Sequence, residues 1–189
     1  MTTGNSSLTV ENVVGSAELG RELDLPALAE DLPNTTHAHD QFPGLIHRNQ
    51  SPKGVILVFR SGKLVCTGAK RTADVGTALE QFVDELRALG IQIDHDPEVT
   101  IQNIVTSGDL GVRLNLNAVA VGLGLENIEY EPEQFPGLVY RLDSPSVVSL
   151  LFASGKLVLT GAAELSEAEA AFESVRSQLR SVDLLGSPR

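Results

Sequence analysis

The chain has one cysteine, Cys66, in 189 residues, so no disulfide framework exists. No apolar run approaches the length of a membrane span. The opening stretch Met1–Leu8 lacks the charged, apolar and small-residue succession of a signal peptide. A soluble, cytoplasmic protein with no membrane partner is the expectation. Positive charge is also scarce: four lysines and ten arginines face 25 Asp and Glu, for a formal net charge of -11. Over the whole chain that scarcity argues against a nucleic-acid partner, because DNA affinity rests on neutralising phosphates with Lys and Arg.

The distribution of charge changes the picture. Between Asp40 and Asp74 no acidic residue occurs, while Arg48, Lys53, Arg60, Lys63, Lys70 and Arg71 give a local +6. The window Gln134 to Ala163 carries Arg141 and Lys156 against Asp143, a local +1. All four lysines lie in these two windows, and with them set aside from the -11 the remainder carries -18. An acidic body surrounds a basic strip. Such a body resembles proteins of high-salt cytoplasm, where carboxylates hold a hydrated surface and repulsion is screened within a few Å. A hydrophobic share of 42% is enough for one or two compact domains.

An internal repeat dominates the sequence. Phe42-Pro-Gly-Leu-Ile-His-Arg48 recurs as Phe135-Pro-Gly-Leu-Val-Tyr-Arg141, and Phe59-Arg-Ser-Gly-Lys-Leu-Val-Cys-Thr-Gly-Ala69 as Phe152-Ala-Ser-Gly-Lys-Leu-Val-Leu-Thr-Gly-Ala162, both at an offset of 93. Upstream, Val10-Glu-Asn-Val-Val14 recurs as Ile101-Gln-Asn-Ile-Val105 at 91, so two residues are gained or lost between these blocks, as expected of a loop. Two long units mean a duplicated half-domain and not an array. The halves are expected at residues 8–93 and 99–185, joined by a linker at 94–98 that Pro97 breaks, with flexible tails at 1–7 and 186–189.

Within one unit, Thr9 to Val14 reads as a strand, and Asp24-Leu-Pro26 starts a helix with an apolar face of Leu25, Leu28, Ala29 and Leu32. Leu45 to His47 and Lys53 to Phe59 read as strands, and the turn Ser61-Gly62 leads into Lys63 to Gly68 as a hairpin. A long helix follows, with Thr72 as the expected cap, Val75, Leu79, Phe82, Leu86 and Leu89 as its stripe, and Gly90 as its end. Its counterpart is expected to start with the capping box Ser166-Glu-Ala-Glu169 and to bury Phe172, Val175, Leu179 and Val182. The fold class is α+β: a duplicated, helix-covered antiparallel sheet.

Both faces of the strands are apolar. Ile56 and Val58 share one face of their strand, and Val55, Leu57 and Phe59 the other; Leu64 and Cys66 oppose Val65 and Thr67. Helices cover only one face, so the other must meet a second layer, a lipid or ligand, or an apolar groove of a nucleic acid. The residues favour the minor groove, which shows mainly the acceptors adenine N3 and thymine O2. Asn12 and Asn103 supply amides in equivalent strands, and Thr67 and Thr160 hydroxyls. Val14, Val65, Val105 and Val158 are smooth surface. Phe42, Phe59, Phe135 and Phe152, four of six phenylalanines, form two repeat-related pairs placed as wedges.

At these residues the chain resembles the TATA-box-binding protein family, archaeal type. The matching blocks are Gln102-Asn-Ile-Val105, Tyr130-Glu-Pro-Glu-Gln-Phe-Pro-Gly-Leu-Val-Tyr-Arg141 and both Phe-x-Ser-Gly-Lys-x-Val-x-Thr-Gly-Ala segments, and the likeness runs from about Leu8 to Leu185. The resemblance implies a ten-stranded pseudo-twofold saddle whose concave face holds A/T-rich promoter DNA and kinks it with the four phenylalanines. It implies base contacts from Asn12, Asn103, Thr67 and Thr160, with Leu57 and Leu150 on the same surface. It implies phosphate contacts from Arg48, Arg141, Ser61, Ser154, Lys63 and Lys156. Glu131 and Glu133 match the acidic loop that receives transcription factor B, and RNA polymerase follows indirectly. The first unit departs there, reading His37-Ala-His-Asp40, and Ala163 stands where the first unit has Lys70. The acidic body resembles the halophilic archaeal branch, and the location implied is the cytoplasm, with the nucleoid.

No catalytic constellation stands out, and no cofactor is expected. His37 and His39 form a His-x-His pair without nearby cysteine ligands, a weak metal signal. Cys66 faces the helices by strand parity and is expected in the core. A duplicated lipid or small-molecule carrier and a sheet-mediated interaction module also explain two-faced strands. The carrier does not explain the paired Asn, the paired Thr or the basic strip. Dimerisation of the DNA-free protein through its apolar face stays open.

Overall fold

The computed structural model describes residues 8–37 and 40–185; the expectations for the tails at 1–7 and 186–189, and for His39, lie outside these residues. The element order is β1 (Thr9–Glu18), α1 (Leu25–Asp31), β2 (Thr35–Thr36), β3 (Leu45–Gln50), β4 (Lys53–Val58), β5 (Lys63–Ala69) and α2 (Thr72–Ala88). It then repeats as β6 (Thr100–Asp109), α3 (Leu116–Leu123), β7 (Ile128–Glu129), β8 (Leu138–Arg141), β9 (Val148–Leu151), β10 (Lys156–Ala162) and α4 (Leu165–Ser181). Each half is an antiparallel sheet, ordered β2-β3-β4-β5-β1 in the first and β7-β8-β9-β10-β6 in the second. Two compact units form among the described residues: 12–102, and 103–185 together with 8–11. No described helix is long and apolar enough to cross a membrane.

One face of each sheet carries a long helix. α2 buries Val75, Ala78, Leu79, Phe82, Val83 and Leu86, and α4 buries Ala168, Ala171, Phe172, Val175 and Leu179. Against them lie Ile56, Val58, Leu64 and Cys66 in the first half, and Leu151, Leu157 and Leu159 in the second. Phe82 and Phe172 are core residues at positions that do not correspond, unlike the four paired phenylalanines. Leu89, expected in the stripe, is exposed because the helix has already ended around it.

The short helices start at the kind of cap expected of Asp24, and the long helices do not start where expected. Asp24 Oδ1 accepts from Ala27 N–H at 3.2 Å, and Asn115 Oδ1 accepts from Ala118 N–H at the same distance, so both short helices are side-chain capped. Thr72 does not cap α2; it is the first helical residue, behind Arg71. The box at the start of α4 is Glu164 with Glu167, not Ser166 with Glu169. There Glu167 Oε2 accepts from the backbone N–H of Glu164 at 3.2 Å and of Ala163 at 2.8 Å.

The β4–β5 and β9–β10 turns need glycine. Gly62 and Gly155 have φ of +86° and +89°, and a Cβ on either would collide with the backbone carbonyl of Arg21 or Val112. That close approach lets Leu19 N–H reach Gly62 O at 3.0 Å and Leu110 N–H reach Gly155 O at 2.9 Å. The turn after Phe59 and the turn after Phe152 are thereby fastened to the segments leading into α1 and α3.

Candidate nucleic-acid interface

The sheet face opposite the long helices is apolar in both halves. Cross-strand register aligns Ile46, Leu57, Val65 and Ser16 in one row of the first half. It aligns Val139, Leu150, Val158 and Ser107 in the matching row of the second. A second row runs Arg48, Val55, Thr67, and Arg141, Val148, Thr160. Val14, Leu57, Val65, Val105, Leu150 and Val158 are all half-buried, alternating along their strands with fully buried neighbours. Ile46, Val139, Ser16 and Ser107 belong to these rows as well. The offset of 93 pairs the first two in sequence, but only strand register shows which face they share.

Asn12 and Thr67 are brought together by a bulge. The β1–β5 register slips between Val13 and Gly15, setting Thr67 and Gly68 of β5 opposite the single residue Val14. The Gly68 N–H thus freed donates to Asn12 Oδ1 at 2.7 Å. With the carbonyl end fixed, the amide donates from Nδ2 to Thr67 Oγ1 at 3.0 Å. β10 repeats the device: Gly161 N–H reaches Asn103 Oδ1 at 2.7 Å, and Asn103 Nδ2 reaches Thr160 Oγ1 at 3.0 Å. Each amide keeps one N–H for an outside acceptor, and its own acceptor is occupied.

The phenylalanines form two edge-to-face pairs. Phe42 and Phe59 have centroids 5.6 Å apart at 68°, and Phe135 and Phe152 lie 5.9 Å apart at 69°. Phe135 is 37% exposed, and the other three are half-buried. Phe135 is held by a turn in which Glu131 O accepts from the backbone N–H of Phe135 at 3.0 Å and of Gln134 at 2.9 Å. Glu131 and Glu133 are exposed in that turn.

The cationic positions are less uniform. Lys63 and Lys156 open β5 and β10, exposed, with backbone N–H groups 3.4 and 3.3 Å from Ser61 and Ser154 Oγ. Arg48 Nη1 donates to Thr36 Oγ1 at 3.2 Å. At the equivalent place Arg141 donates from Nε and Nη2 to Glu129 Oε1 at 3.2 and 3.0 Å. Arg71, just before α2, is tied to Asp74 at 2.6 and 3.0 Å, and Arg60 stands 3.6 Å from Glu22, so these charges of the basic window have acidic partners within the first half. Glu129 was missed in the sequence. Among the described residues no group of three or more His, Cys, Asp or Glu is placed to hold a metal ion.

The family model described as "Transcription factor TFIID (or TATA-binding protein, TBP)" matches residues 7–89 and 98–182. TATA-box-binding protein 1 of Haloferax volcanii is 60% identical over 185 residues, covering 98% of each chain. TATA-box-binding protein of Archaeoglobus fulgidus is 52% identical over 178 residues, covering 94% of this chain and 97% of its own. Among solved structures, Methanococcus jannaschii TBP superposes with a TM-score of 0.82 at 43% identity, covering 93% of this chain and 99% of its own.

Proposed function

Because the chain belongs to the TATA-binding protein family, we propose that it opens and bends the minor groove of A/T-rich promoter DNA. In this reading Phe42 with Phe59 and Phe135 with Phe152 wedge the terminal base steps. Glu131 and Glu133 receive transcription factor B, and through it RNA polymerase. The family is one of DNA-binding general transcription factors, and the relatives are archaeal, halophiles among them.

The observation that carries the reading is the twice-built Asn–Thr pair. Its outward groups are donors, because each Asn Oδ1 is taken by a backbone N–H. Donors suit adenine N3 and thymine O2. The guanine amino group, itself a donor, would face them without an acceptor, and each mismatched position then costs about 1–3 kcal/mol. Apolar rows on either side fit an opened groove floor, and unstacking of a few kcal/mol per step is offset by the enlarged contact. Arg48, Ser61 and Lys63, with Arg141, Ser154 and Lys156, flank those rows and suit phosphates.

The test is a mobility-shift titration in high potassium salt with an A/T-rich promoter duplex and a G/C-rich control. Selective retardation of the first is expected; equal affinity for the two would remove the reading. Charge reversal at Glu131 and Glu133 is expected to leave duplex binding intact and to abolish the complex with transcription factor B. Without DNA, the apolar rows suit a second copy of the chain; added duplex should then convert dimer to monomer in sedimentation.

A further inference from the structure

The two halves differ most where α1 and α3 lead to their edge strands. α1 presents Glu30 and Asp31 to solvent, and the equivalent residues of α3 are Val121 and Gly122. The two extra residues of the second half fall just beyond: Pro33-Asn34 in the first corresponds to Gly124-Leu-Glu-Asn127 in the second. Asn34 and Asn127 are matched by their carbonyls, which accept from Arg48 N–H at 3.0 Å and Arg141 N–H at 2.9 Å. Leu125 sits in that insertion. Val121 is 79% exposed and Leu125 74%, the two most exposed large apolar residues among those described.

Nothing in the fold requires them to be apolar. The inner side of α3 buries Leu116, Val119 and Ala120, and Gly122 lies against Leu184 and Val182 of the segment after α4. Val121 stands clear of both contacts. The surroundings are acidic: Glu126 adjoins Leu125, and Glu131 and Glu133 follow on the loop after β7, which packs on α3. The first half has neither the apolar pair nor those glutamates. Uncovered apolar side chains are costly to hydrate in concentrated salt, which strengthens burial. Two such side chains in a segment that runs on through Glu126 to Glu131 and Glu133 fit an interface and not a solvated surface.

We infer that Val121 and Leu125 form an apolar anchor for the partner of the acidic loop, taking a basic segment whose apolar side chain sits between Lys or Arg residues. This rests on the proposed role of Glu131 and Glu133 in receiving transcription factor B. It adds a second contact to that interface, on the α3 side of the loop. The glutamates select the sign of the partner, and the anchor supplies contact that molar salt does not screen.

The experiment measures the affinity of transcription factor B for the full-length protein on an A/T-rich duplex in molar potassium chloride. Three variants are compared: Val121→Glu with Leu125→Asn, Val121→Ile with Leu125→Met, and Glu131→Lys with Glu133→Lys. Glutamate is tolerated at the matching helical site, Glu30, so the first variant is expected to fold and to bind duplex normally. It should weaken the ternary complex about tenfold or more, as loss of a buried anchor does, while the Ile/Met variant keeps wild-type affinity. Unchanged ternary affinity in the first variant, with loss in the Lys variant, overturns the anchor and leaves the acidic loop standing. No loss in either overturns the partner face altogether. A change in self-association without a change in the ternary complex identifies a second copy as the occupant and overturns the inference. Impaired duplex binding in the first variant alone would also overturn it, because the patch would then serve DNA.

Discussion

Arg141 gives two hydrogen bonds to one oxygen of Glu129, while its counterpart Arg48 faces only the hydroxyl of Thr36. Both members of the pair are more than half exposed, so it adds little to stability. Under the proposed function its effect is on binding, because it offsets a charge otherwise open to a phosphate. Glu129→Thr copies the first half and should raise duplex affinity a few-fold at moderate salt. The plot of log affinity against log salt should steepen by about one. The gain should fade near molar salt, where the Debye length is about 3 Å. An identical slope in the variant would show that Arg141 reaches no phosphate.

Gly137 lies under the second ring pair. A Cβ there would stand 2.7 Å from Phe135 Cε1 and 3.0 Å from Phe152 Cε1, so Gly137→Ala must displace the rings. Duplex bending, read by energy transfer between end labels, should fall in this variant and fall further in Phe135→Ala with Phe152→Ala. Thermal stability should change by about 1 kcal/mol, the worth of an edge-to-face contact, because the pair lies at the margin of the core. A midpoint drop of more than about 10 °C would place the rings in the core and not on a binding edge.

The pairing of the phenylalanines was legible in the sequence because aromatic residues are few and the offset of 93 is constant. Strand parity placed Cys66 among the helices and Val65 and Thr67 opposite, as the structure has it. What failed was register at element ends. Ser166 and Glu169 have capping-box spacing, yet Glu164 with Glu167 has the same spacing two residues earlier and fits where the strand releases the chain. Glu129 escaped notice because its contact with Arg141 depends on β7, a two-residue edge strand that no periodicity announces. The bulge joining Asn12 to Gly68 was equally invisible: glycine after threonine marks flexibility, not which amide it leaves free.

Cys66 lies fully buried on β5, and burial pushes its thiol up to about 11. The thiolate is the reactive form, so an aromatic disulfide reagent at pH 8 should label the folded protein slowly and the urea-unfolded protein at once. Labelling then reports opening of the first half. Rapid stoichiometric labelling of the native protein would mean that β5 and α2 separate freely.

One core layer differs between the halves, and only in the first does it hold a histidine. His47, Ile56 and Cys66 are cross-strand neighbours in the first, and Tyr140, Ser149 and Leu159 in the second. Tyr in place of His and Leu in place of Cys add volume that Ser in place of Ile removes, so volume is roughly kept. From α2, Glu85 stands 3.9 Å from His47 Nε2, and the Phe82 ring is centred 4.9 Å from the imidazole. In the second half the Tyr140 hydroxyl is hydrogen-bonded to Gln178. Burial lowers the His47 pKa from its ordinary 6.5, and Glu85 opposes this only in part. The folded state therefore refuses a proton that the unfolded chain accepts. Stability from this site is complete above about pH 6.5 and declines as pH falls below it. His47→Tyr alone should overpack against Ile56 at about 1–3 kcal/mol. Adding Ile56→Ser, Cys66→Leu and Glu85→Gln should restore packing and lessen the drop in urea midpoint between pH 8 and pH 5. An equal drop in the fourfold variant would assign the acid sensitivity to the surface carboxylates instead.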